Sequence, residues 1–274
     1  MDVTRIGRKV LLALITAGWF CRFAAVACAA DILSGYFPTL PPHASLPSGA
    51  QCTAAVLSSA PAPELRVQNA AANRTTPTPE QLAKFHAFPV KGSFVPPSDF
   101  ARVDGEFTGT TDQILRWGAC KWGVDENVVR AQAAAESHWL QSTVGDSTSD
   151  LSLCPPGSGY PGAWDGGHCM QSYGIMQMKY KSFGGWPLSK DSTAFNVDFR
   201  LAYQRACMNG DISYLPQEIP ALGYPRYPNG DTDEMLWGCM GDWFSGDWYD
   251  SGALKYIAEV KSLLVREGWL HSQF

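Results

Sequence analysis

Six cysteines lie downstream of residue 30, and they constrain the fold of this 274-residue chain more than any other feature. They are Cys52, Cys120, Cys154, Cys169, Cys207 and Cys239. An even set of cysteines in an exported protein is typical of disulfides. Cys154 and Cys169 are close in sequence and enclose a segment rich in Gly and Pro, so we expect these two to be bonded. Zinc is the alternative, with His168 beside Cys169, but the sequence contains no CxxC pair and no HExxH motif.

The start of the chain has the features of a secretory signal peptide, predicted over residues 1–30. Three basic residues precede an apolar run over residues 10–20, and small residues suited to cleavage follow at Ala29 and Ala30. We therefore expect export to the periplasm, the cell envelope or the medium. Two alternatives stay open: an uncleaved membrane anchor, and a lipoprotein attached through Cys28, although the residues before it only loosely resemble a lipobox.

Composition divides the rest of the chain into two parts. Residues 31–90 are rich in Pro, Ala, Ser and Thr and lack a sustained apolar period, which predicts an extended, poorly ordered linker. Residues 91–274 form the predicted domain. Removal of residues 1–30 takes away four basic side chains and one acidic one, which changes the formal net charge from −5 to −8. This charge argues against nucleic acid and anionic membranes as partners.

Four helices are predicted in the domain from their start signals and their apolar periods. Thr111 and Asp125 are the predicted caps of the first two, the third runs from Ser192 to Cys207, and the last runs from Ser251 to Glu267. Residues three or four apart along the last helix predict a buried stripe of Leu254, Ile257, Ala258, Lys261 and Leu264.

Two long irregular segments separate these helices, over residues 145–169 and 215–234. Both are dense in Gly, Pro, Asp and Tyr. Long loops inside a compact domain are usually functional, so we expect these two to line a groove. The predicted fold is mainly α, with long loops held by disulfides.

One carboxylate on an apolar helix is the strongest candidate for chemistry. The helix that begins at Asp125 contains three successive alanines followed by Glu136, which the helical period places on or near the buried side. Burial disfavours the charged form of a carboxyl group and raises its pKa, as a general acid requires near neutral pH. The alternative is structural: Glu136 pairs with an arginine or caps a neighbouring helix.

Two short motifs resemble those of the lysozyme-like superfamily, and specifically of bacterial lytic transglycosylases of the soluble-lytic type. Glu136-Ser137 stands where these enzymes have a Glu-Ser pair closing a helix, and residues 174–177, Gly-Ile-Met-Gln, stand where they have Gly-Leu-Met-Gln. Their third motif, Ala-Tyr-Asn-Ala-Gly, is matched less well. Trp243 stands at its Tyr and Phe244 at its Asn, so the amide that helps to orient the catalytic carboxylate is absent.

The resemblance covers residues 105–268 and implies a lysozyme-like domain that acts on peptidoglycan glycan strands. The implied reaction cleaves the β-1,4 bond between N-acetylmuramic acid (MurNAc) and N-acetylglucosamine and leaves 1,6-anhydro-MurNAc ends. Glu136 is the implied catalytic residue, first as acid and then as base, without a metal or cofactor. Ser137 and Gln177 are implied to bind or orient sugar. Three aromatic residues are candidate ring contacts: Tyr173, Trp243 and Tyr249.

Two other functions stay open on the sequence. A hydrolytic lysozyme needs a second carboxylate, and Asp146 and Asp150 are available in the segment after the helix, although both also suit ordinary turns. A noncatalytic module would bind the cell wall without cleaving it, and Phe244 in place of Asn favours that alternative.

Overall fold

A computed structural model describes residues 35–59, 63–90, 94–156, 167–221, 231–271 and 274. The predicted signal peptide over residues 1–30 lies outside these ranges. The chain divides into a unit of residues 1–36 and a unit of residues 37–274, and the elements below belong to the second. Among the described helices, none is both long enough and apolar enough to cross a membrane.

Regular structure in the described residues is mainly helical, as predicted. The strands are β1 (Val144–Thr148), β2 (Cys169–Tyr173) and β3 (Met178–Lys179). The α-helices are α1 (Gly49–Ser58), α2 (Pro79–His86), α3 (Thr111–Trp122), α4 (Glu126–Ser137), α5 (Tyr180–Phe183), α6 (Leu188–Asp191), α7 (Thr193–Met208), α8 (Leu215–Ala221), α9 (Thr232–Ser245) and α10 (Ser251–Arg266).

The segment predicted to be a poorly ordered linker, residues 31–90, is part of the folded domain over its described part. Helices α1 and α2 each begin with a capping box, at Ser48 and Thr78. Cys52 and Phe85 belong to the same hydrophobic core as the C-terminal helices. The prediction was wrong because it required a sustained apolar period, whereas short helices here bury only one or two side chains each.

Three disulfides join distant parts of the domain: Cys52–Cys120, Cys154–Cys169 and Cys207–Cys239. The predicted Cys154–Cys169 bond is confirmed, and it occupies the sulfur that a zinc site beside His168 would need. Cys52–Cys120 joins α1 to α3 across 68 residues. A disulfide that closes so long a loop lowers the conformational entropy of the unfolded chain. This bond therefore stabilises the packing of α1 against α3.

Helix α7 runs through the centre of the core and is buried along its whole length. A helix buried on all sides must satisfy its polar side chains internally. Asp198 accepts hydrogen bonds from Lys121 Nζ at 2.8 Å and Trp122 Nε1 at 2.6 Å. The backbone N–H groups of Asp104 and Gly105 donate two more, both at 2.9 Å. These contacts tie α7 to α3 and to the segment before it.

The predicted stripe of α10 is correct only in part: Ile257 is buried and Leu264 packs against the core, whereas Leu254, Ala258 and Lys261 are exposed. The residues that face the core are Ala253, Tyr256, Ile257 and Val260, whereas Leu254 is 52% exposed. Both sets are spaced by three and four residues, and a shift of one residue turns the face by about 100° around the helix. Periodicity therefore does not choose between them.

The three strands form a small antiparallel sheet in the order β1-β2-β3, in which Val144 pairs with Tyr173 and Ser172 pairs with Lys179. The first predicted loop, residues 145–169, thus contains most of a strand, and the second contains helix α8. The remaining parts of these loops, residues 157–166 and 222–230, lie outside the described residues.

Candidate active site

Glu136 lies in the last turn of α4, where the helix meets α10. The helix begins at its predicted cap, Asp125, and ends at His138, whose backbone is left-handed with φ 53°. It packs against α3 and α10. Three buried side chains on it are small, which lets these neighbours approach and brings their side chains to the Glu136 carboxyl group: Ala131, Ala133 and Ala134.

Two neutral donors hold the carboxyl group of Glu136. Tyr256 of α10 donates its hydroxyl hydrogen to Oε1, and the ring N–H of Trp243 on α9 donates a second hydrogen bond. Glu136 forms no ion pair with any described residue, whereas Glu126 at the other end of α4 binds two arginines. The structural alternative, pairing with an arginine, therefore fits Glu126 and not Glu136.

Burial sets the ionisation of Glu136. Loss of water around its carboxyl group raises its pKa to about 7, and the negative charge of Asp146 acts in the same direction. The hydrogen bonds from Tyr256 and Trp243 and the positive charge of Arg200 favour the ionised form and limit the rise. The residue as a whole is partly exposed, although its carboxyl group is buried. At neutral pH the group is divided between its acid and base forms, which suits a residue that donates a proton and later takes one back.

Tyr256 supplies the support that the missing amide was expected to provide. Phe244, which stands at the position of that amide, is 58% exposed and stacks on the Tyr256 ring with centroids 4.7 Å apart and an interplanar angle of 8°. It covers the tyrosine while the tyrosine holds Glu136. Tyr256 was not among the predicted site residues because the predicted stripe of α10 begins at Leu254, whereas the stripe that begins one residue earlier, at Ala253, includes it.

The two sequence motifs meet through Ser137. Its hydroxyl Oγ lies 2.9 Å from the Ile175 carbonyl oxygen and 3.1 Å from the Ala133 carbonyl oxygen. Gly174 lets the second motif pack closely against α7: its φ is 85°, and a Cβ there would lie 2.4 Å from Asn196 Nδ2. Ser137 is buried, so its observed contacts position the end of α4 against the second motif.

Gln177 occupies a left-handed position, with φ 52°, directly after the turn of the second motif. Its side-chain Nε2 donates to the Gly174 carbonyl oxygen at 2.8 Å and lies 3.2 Å from the Thr143 carbonyl oxygen. These bonds fix the amide across the start of the sheet. Its predicted contact with sugar stays a prediction.

Two of the predicted ring contacts have partners within the fold. Tyr173 is 1% exposed, donates to the Met170 carbonyl oxygen at 2.7 Å and packs edge to face against Trp186. Because its ring has almost no accessible surface, Tyr173 is not a sugar platform in this conformation. Tyr249 is partly buried and donates to the Glu234 carbonyl oxygen at 3.0 Å, so its role with sugar stays a prediction.

Trp243 is the predicted ring contact that lies at the site. Its ring stacks on Phe183, with centroids 4.9 Å apart and an interplanar angle of 9°, and the Arg200 guanidinium lies 4.6 Å from its centroid. These neighbours fix the indole so that its N–H reaches Glu136. Its first role in the structure is therefore to hold the carboxyl group.

The two aspartates that follow α4 differ in position. Asp146 lies in β1 at a left-handed φ of 55°, accepts a hydrogen bond from Ser172 Oγ at 2.6 Å and pairs with Lys179 at 3.3 Å. Its charge raises the pKa of Glu136. Asp150 instead caps a 3₁₀ turn, and its hydrogen bonds with Ser152 lower its pKa. Asp146 is thus the second carboxylate of the site, and Asp150 is an ordinary turn residue.

No known family model, curated protein or solved structure matches the chain.

Proposed function

We propose that this protein is an exported lytic transglycosylase with a lysozyme-like fold that cleaves peptidoglycan glycan strands. One observation carries the proposal: the buried carboxyl group of Glu136, at the end of α4, is held by neutral side chains and has a pKa of about 7. Such a group can protonate a leaving oxygen and then act as a base at the same pH. The short motifs that resemble this enzyme family converge at the same place through Ser137.

The proposed reaction needs one acid–base residue and no water. Protonated Glu136 gives its proton to the glycosidic oxygen as the bond from C1 of MurNAc to that oxygen breaks. The resulting carboxylate then takes the proton of the MurNAc C6 hydroxyl as the C6 oxygen bonds to C1. The products are a free 4-hydroxyl on N-acetylglucosamine and a 1,6-anhydro-MurNAc end, and Glu136 is protonated again.

Tyr256 and Trp243 stabilise the intermediate stage of this reaction. Between the two steps Glu136 is an anion in a buried position, and hydrogen bonds to an ionised acceptor are stronger than those between neutral groups. Both donors are fixed by stacking, Tyr256 under Phe244 and Trp243 on Phe183. They are therefore in place before the charge forms, which avoids reorganisation during the reaction.

The decisive experiment compares Glu136→Gln with Glu126→Gln on purified peptidoglycan. Glu136→Gln keeps the shape of the side chain but has no proton to donate, so we expect loss of soluble fragments by about 10³-fold or more. Glu126→Gln is the matched control, a buried glutamate on the same helix. It weakens two ion pairs and should lower stability while cleavage continues. If Glu136→Gln cleaves normally, the proposal is wrong.

Sedimentation with cell walls separates cleavage from binding alone. An enzyme should release fragments, and its Glu136→Gln variant should still sediment with the walls. A wild-type protein that sediments with walls but never releases fragments would instead be the noncatalytic module. The noncatalytic module was favoured by Phe244, which replaces the amide expected to orient the carboxylate. Tyr256 and Trp243 bind the carboxyl group in place of that amide, which favours an enzyme.

Hydrolysis is a second candidate because Asp146 lies within electrostatic range of Glu136. A second carboxylate can activate water or stabilise an oxocarbenium ion. Mass spectrometry of the products in ¹⁸O-labelled water distinguishes the two reactions. Unlabelled 1,6-anhydro ends support transglycosylation, whereas reducing ends that carry ¹⁸O support hydrolysis. Asp146→Asn should then abolish cleavage only in the hydrolytic case.

A further inference from the structure

Arg200 is a fully buried cation below the candidate site. It lies on α7 with 0% exposure, donates from Nη2 to Gln204 Oε1 at 2.8 Å and forms no ion pair with any described residue. Its Nη1 has no hydrogen-bond partner among the described residues. Burying a charge without a contacting counter-charge opposes folding. A role in the site would account for this unfavourable placement.

Gln132 connects Arg200 to the site. One polar atom of its side-chain amide lies 2.9 Å from both Nε and Nη2 of Arg200 and 3.2 Å from the Tyr256 hydroxyl. A guanidinium group only donates hydrogen bonds, so that atom must be the amide oxygen. Arg200 therefore fixes Gln132 as an acceptor toward Tyr256.

We propose that Arg200 is a positioning residue that acts on Glu136 through Gln132 and Tyr256. The Tyr256 hydroxyl has one hydrogen and two acceptors, Glu136 Oε1 and Gln132 Oε1. The Tyr256 hydroxyl donates its hydrogen to Glu136 when that group is ionised. When Glu136 Oε1 carries a proton, the hydroxyl can rotate and donate its hydrogen to Gln132 instead. Glu136 can thus change its protonation between the two steps without movement of any heavy atom. The proposal deepens the proposed function and rests on it.

Without Arg200, the Gln132 amide is free to turn its NH₂ group toward Tyr256. The Tyr256 oxygen would then accept from Gln132, and its own hydrogen would be confined to Glu136. That arrangement favours the ionised carboxylate and opposes its reprotonation. Arg200 is needed in this scheme for its geometry as well as for its charge.

The charged and titratable groups around this network come from four elements. Glu136 faces Tyr256 of α10, Arg200 of α7 and Asp146 of β1, with the neutral Trp243 of α9. Arg200 in addition interacts with Tyr203 of its own helix and with Asp242 of α9. Among the described residues, Arg200 is the cation whose charge lowers the pKa of Glu136, so its removal should change how Glu136 titrates.

Two variants separate the charge of Arg200 from its geometry. Arg200→Met removes the charge and the bonds to Gln132, and we expect it to stay folded because an apolar side chain replaces an unpaired buried charge. Arg200→Lys keeps the charge, but a single ammonium group does not reproduce the planar fork that binds Gln132. Arg205→Lys is the matched control: Arg205 lies on the same buried helix, donates to backbone carbonyl oxygens and is not among the groups that act on Glu136.

The measurements are kcat for cleavage of purified peptidoglycan, its dependence on pH, and a carboxyl ¹³C NMR titration of Glu136 assigned with Glu136→Gln. Arg200→Lys should lower kcat on the order of tenfold and move the Glu136 titration and the alkaline limb to lower pH, because the charge remains while the turned Gln132 amide favours the ionised carboxylate. Arg200→Met should lower kcat to a similar extent, and its Glu136 titration should lie about one pH unit above that of Arg200→Lys, because the positive charge is lost as well. Arg205→Lys should change neither quantity.

Three results would overturn the inference: an Arg200→Lys titration that does not move to lower pH, full kcat in Arg200→Lys, or equal effects in Arg205→Lys. If Arg200→Met does not fold, Gln132→Met breaks the same connection and should lower kcat like Arg200→Lys. The NMR titration needs no substrate, so it tests the connection separately from the reaction. A wild-type protein that releases no fragments refutes the proposed function, whereas an active one with an unchanged Arg200→Lys titration refutes only the role of Arg200.

Discussion

Glu136 and Asp198 are both carboxylates on helices in the core region, yet their surroundings differ. Asp198 is completely buried and accepts four hydrogen bonds, one of them from the Lys121 ammonium group. Glu136 is partly exposed and accepts from neutral donors, and Arg200 acts on its charge without forming an ion pair with it. Burial alone therefore does not mark a functional carboxylate. The distinguishing feature of Glu136 is that neutral groups bind its carboxyl group by hydrogen bonds while no cation forms an ion pair with it among the described residues.

The largest effect expected from this comparison is on Asp198. Asp198→Asn removes the fully buried partner of Lys121 and leaves its ammonium group paired only with the partly exposed Asp104 carboxylate at 2.9 Å, so we expect a loss of about 3 kcal/mol of unfolding free energy. Urea denaturation at pH 7 measures the loss. Asp150→Asn, at an exposed turn, is the control and should change stability little. If Asp198→Asn and Asp150→Asn lose equally little unfolding free energy, Asp198 does not have the structural role that distinguishes it from Glu136.

Whereas Asp198→Asn should lower the free energy of unfolding, Glu136→Gln should raise it at alkaline pH. The pKa of Glu136 is about 7 in the folded chain against 4.5 as the ordinary value. Between these values the folded state binds a proton that the unfolded state has released, so stability falls as pH rises from 4.5 to 7. Glutamine does not titrate. At pH 8 the variant should therefore be more stable than the wild type by roughly 2–3 kcal/mol, and by much less at pH 4.

Denaturation at both pH values measures this difference. A wild type whose stability relative to Glu136→Gln does not change between pH 4 and pH 8 would mean that Glu136 is not the perturbed carboxylate, and the contrast with Asp198 would then fail.

Removal of one donor from Glu136 should have an intermediate effect. Tyr256→Phe keeps the ring under Phe244 but loses the hydroxyl, so we expect kcat for wall cleavage to fall on the order of tenfold to a hundredfold. The hydroxyl favours the ionised carboxylate, so the alkaline limb of activity should also move to higher pH. Tyr249→Phe loses a hydroxyl that binds the Glu234 carbonyl oxygen instead and should leave both quantities unchanged.

The smallest effect is expected at Asp146 if the reaction is transglycosylation. Asp146→Asn removes a negative charge that raises the pKa of Glu136, so the Glu136 titration should move to lower pH. The Asp146 side chain is 54% exposed and pairs with Lys179, so screening should limit the shift to a few tenths of a unit. Carboxyl NMR measures it at low salt, and a large loss of kcat would instead indicate a catalytic role for Asp146.

The features that the sequence predicted correctly depend on local interactions. Asp125 caps α4 with its own side chain, and Ser192 caps α7 in the same way, so the helix starts could be read from a few neighbouring residues. Cys154 and Cys169 are 15 residues apart, which made their bond predictable. The cap of α3 was placed one residue late, since Thr110 and not Thr111 binds Gln113.

The features that the sequence did not predict depend on packing between distant segments. Tyr256 reaches Glu136 from 120 residues away, and the rotation of α10 that brings it there is set by contact with α4 and α9. In the sequence, Arg200 has no feature that distinguishes it from other residues of its predicted helix. In the fold, it contacts Gln132 and the Trp243 ring. The candidate residue could be identified from local signals, but its supporting partners could not.

The order of these elements along the chain has a consequence for synthesis. A nascent chain that has reached residue 255 already contains Glu136, Trp243 and all three disulfide pairs, but the hydroxyl group that holds the carboxyl has not been added. Helix α10 is the last α-helix among the described residues. Truncated products of translation or proteolysis that end before it therefore contain the candidate acid without its Tyr256 hydrogen bond, and the site is completed only after residue 256 has been added.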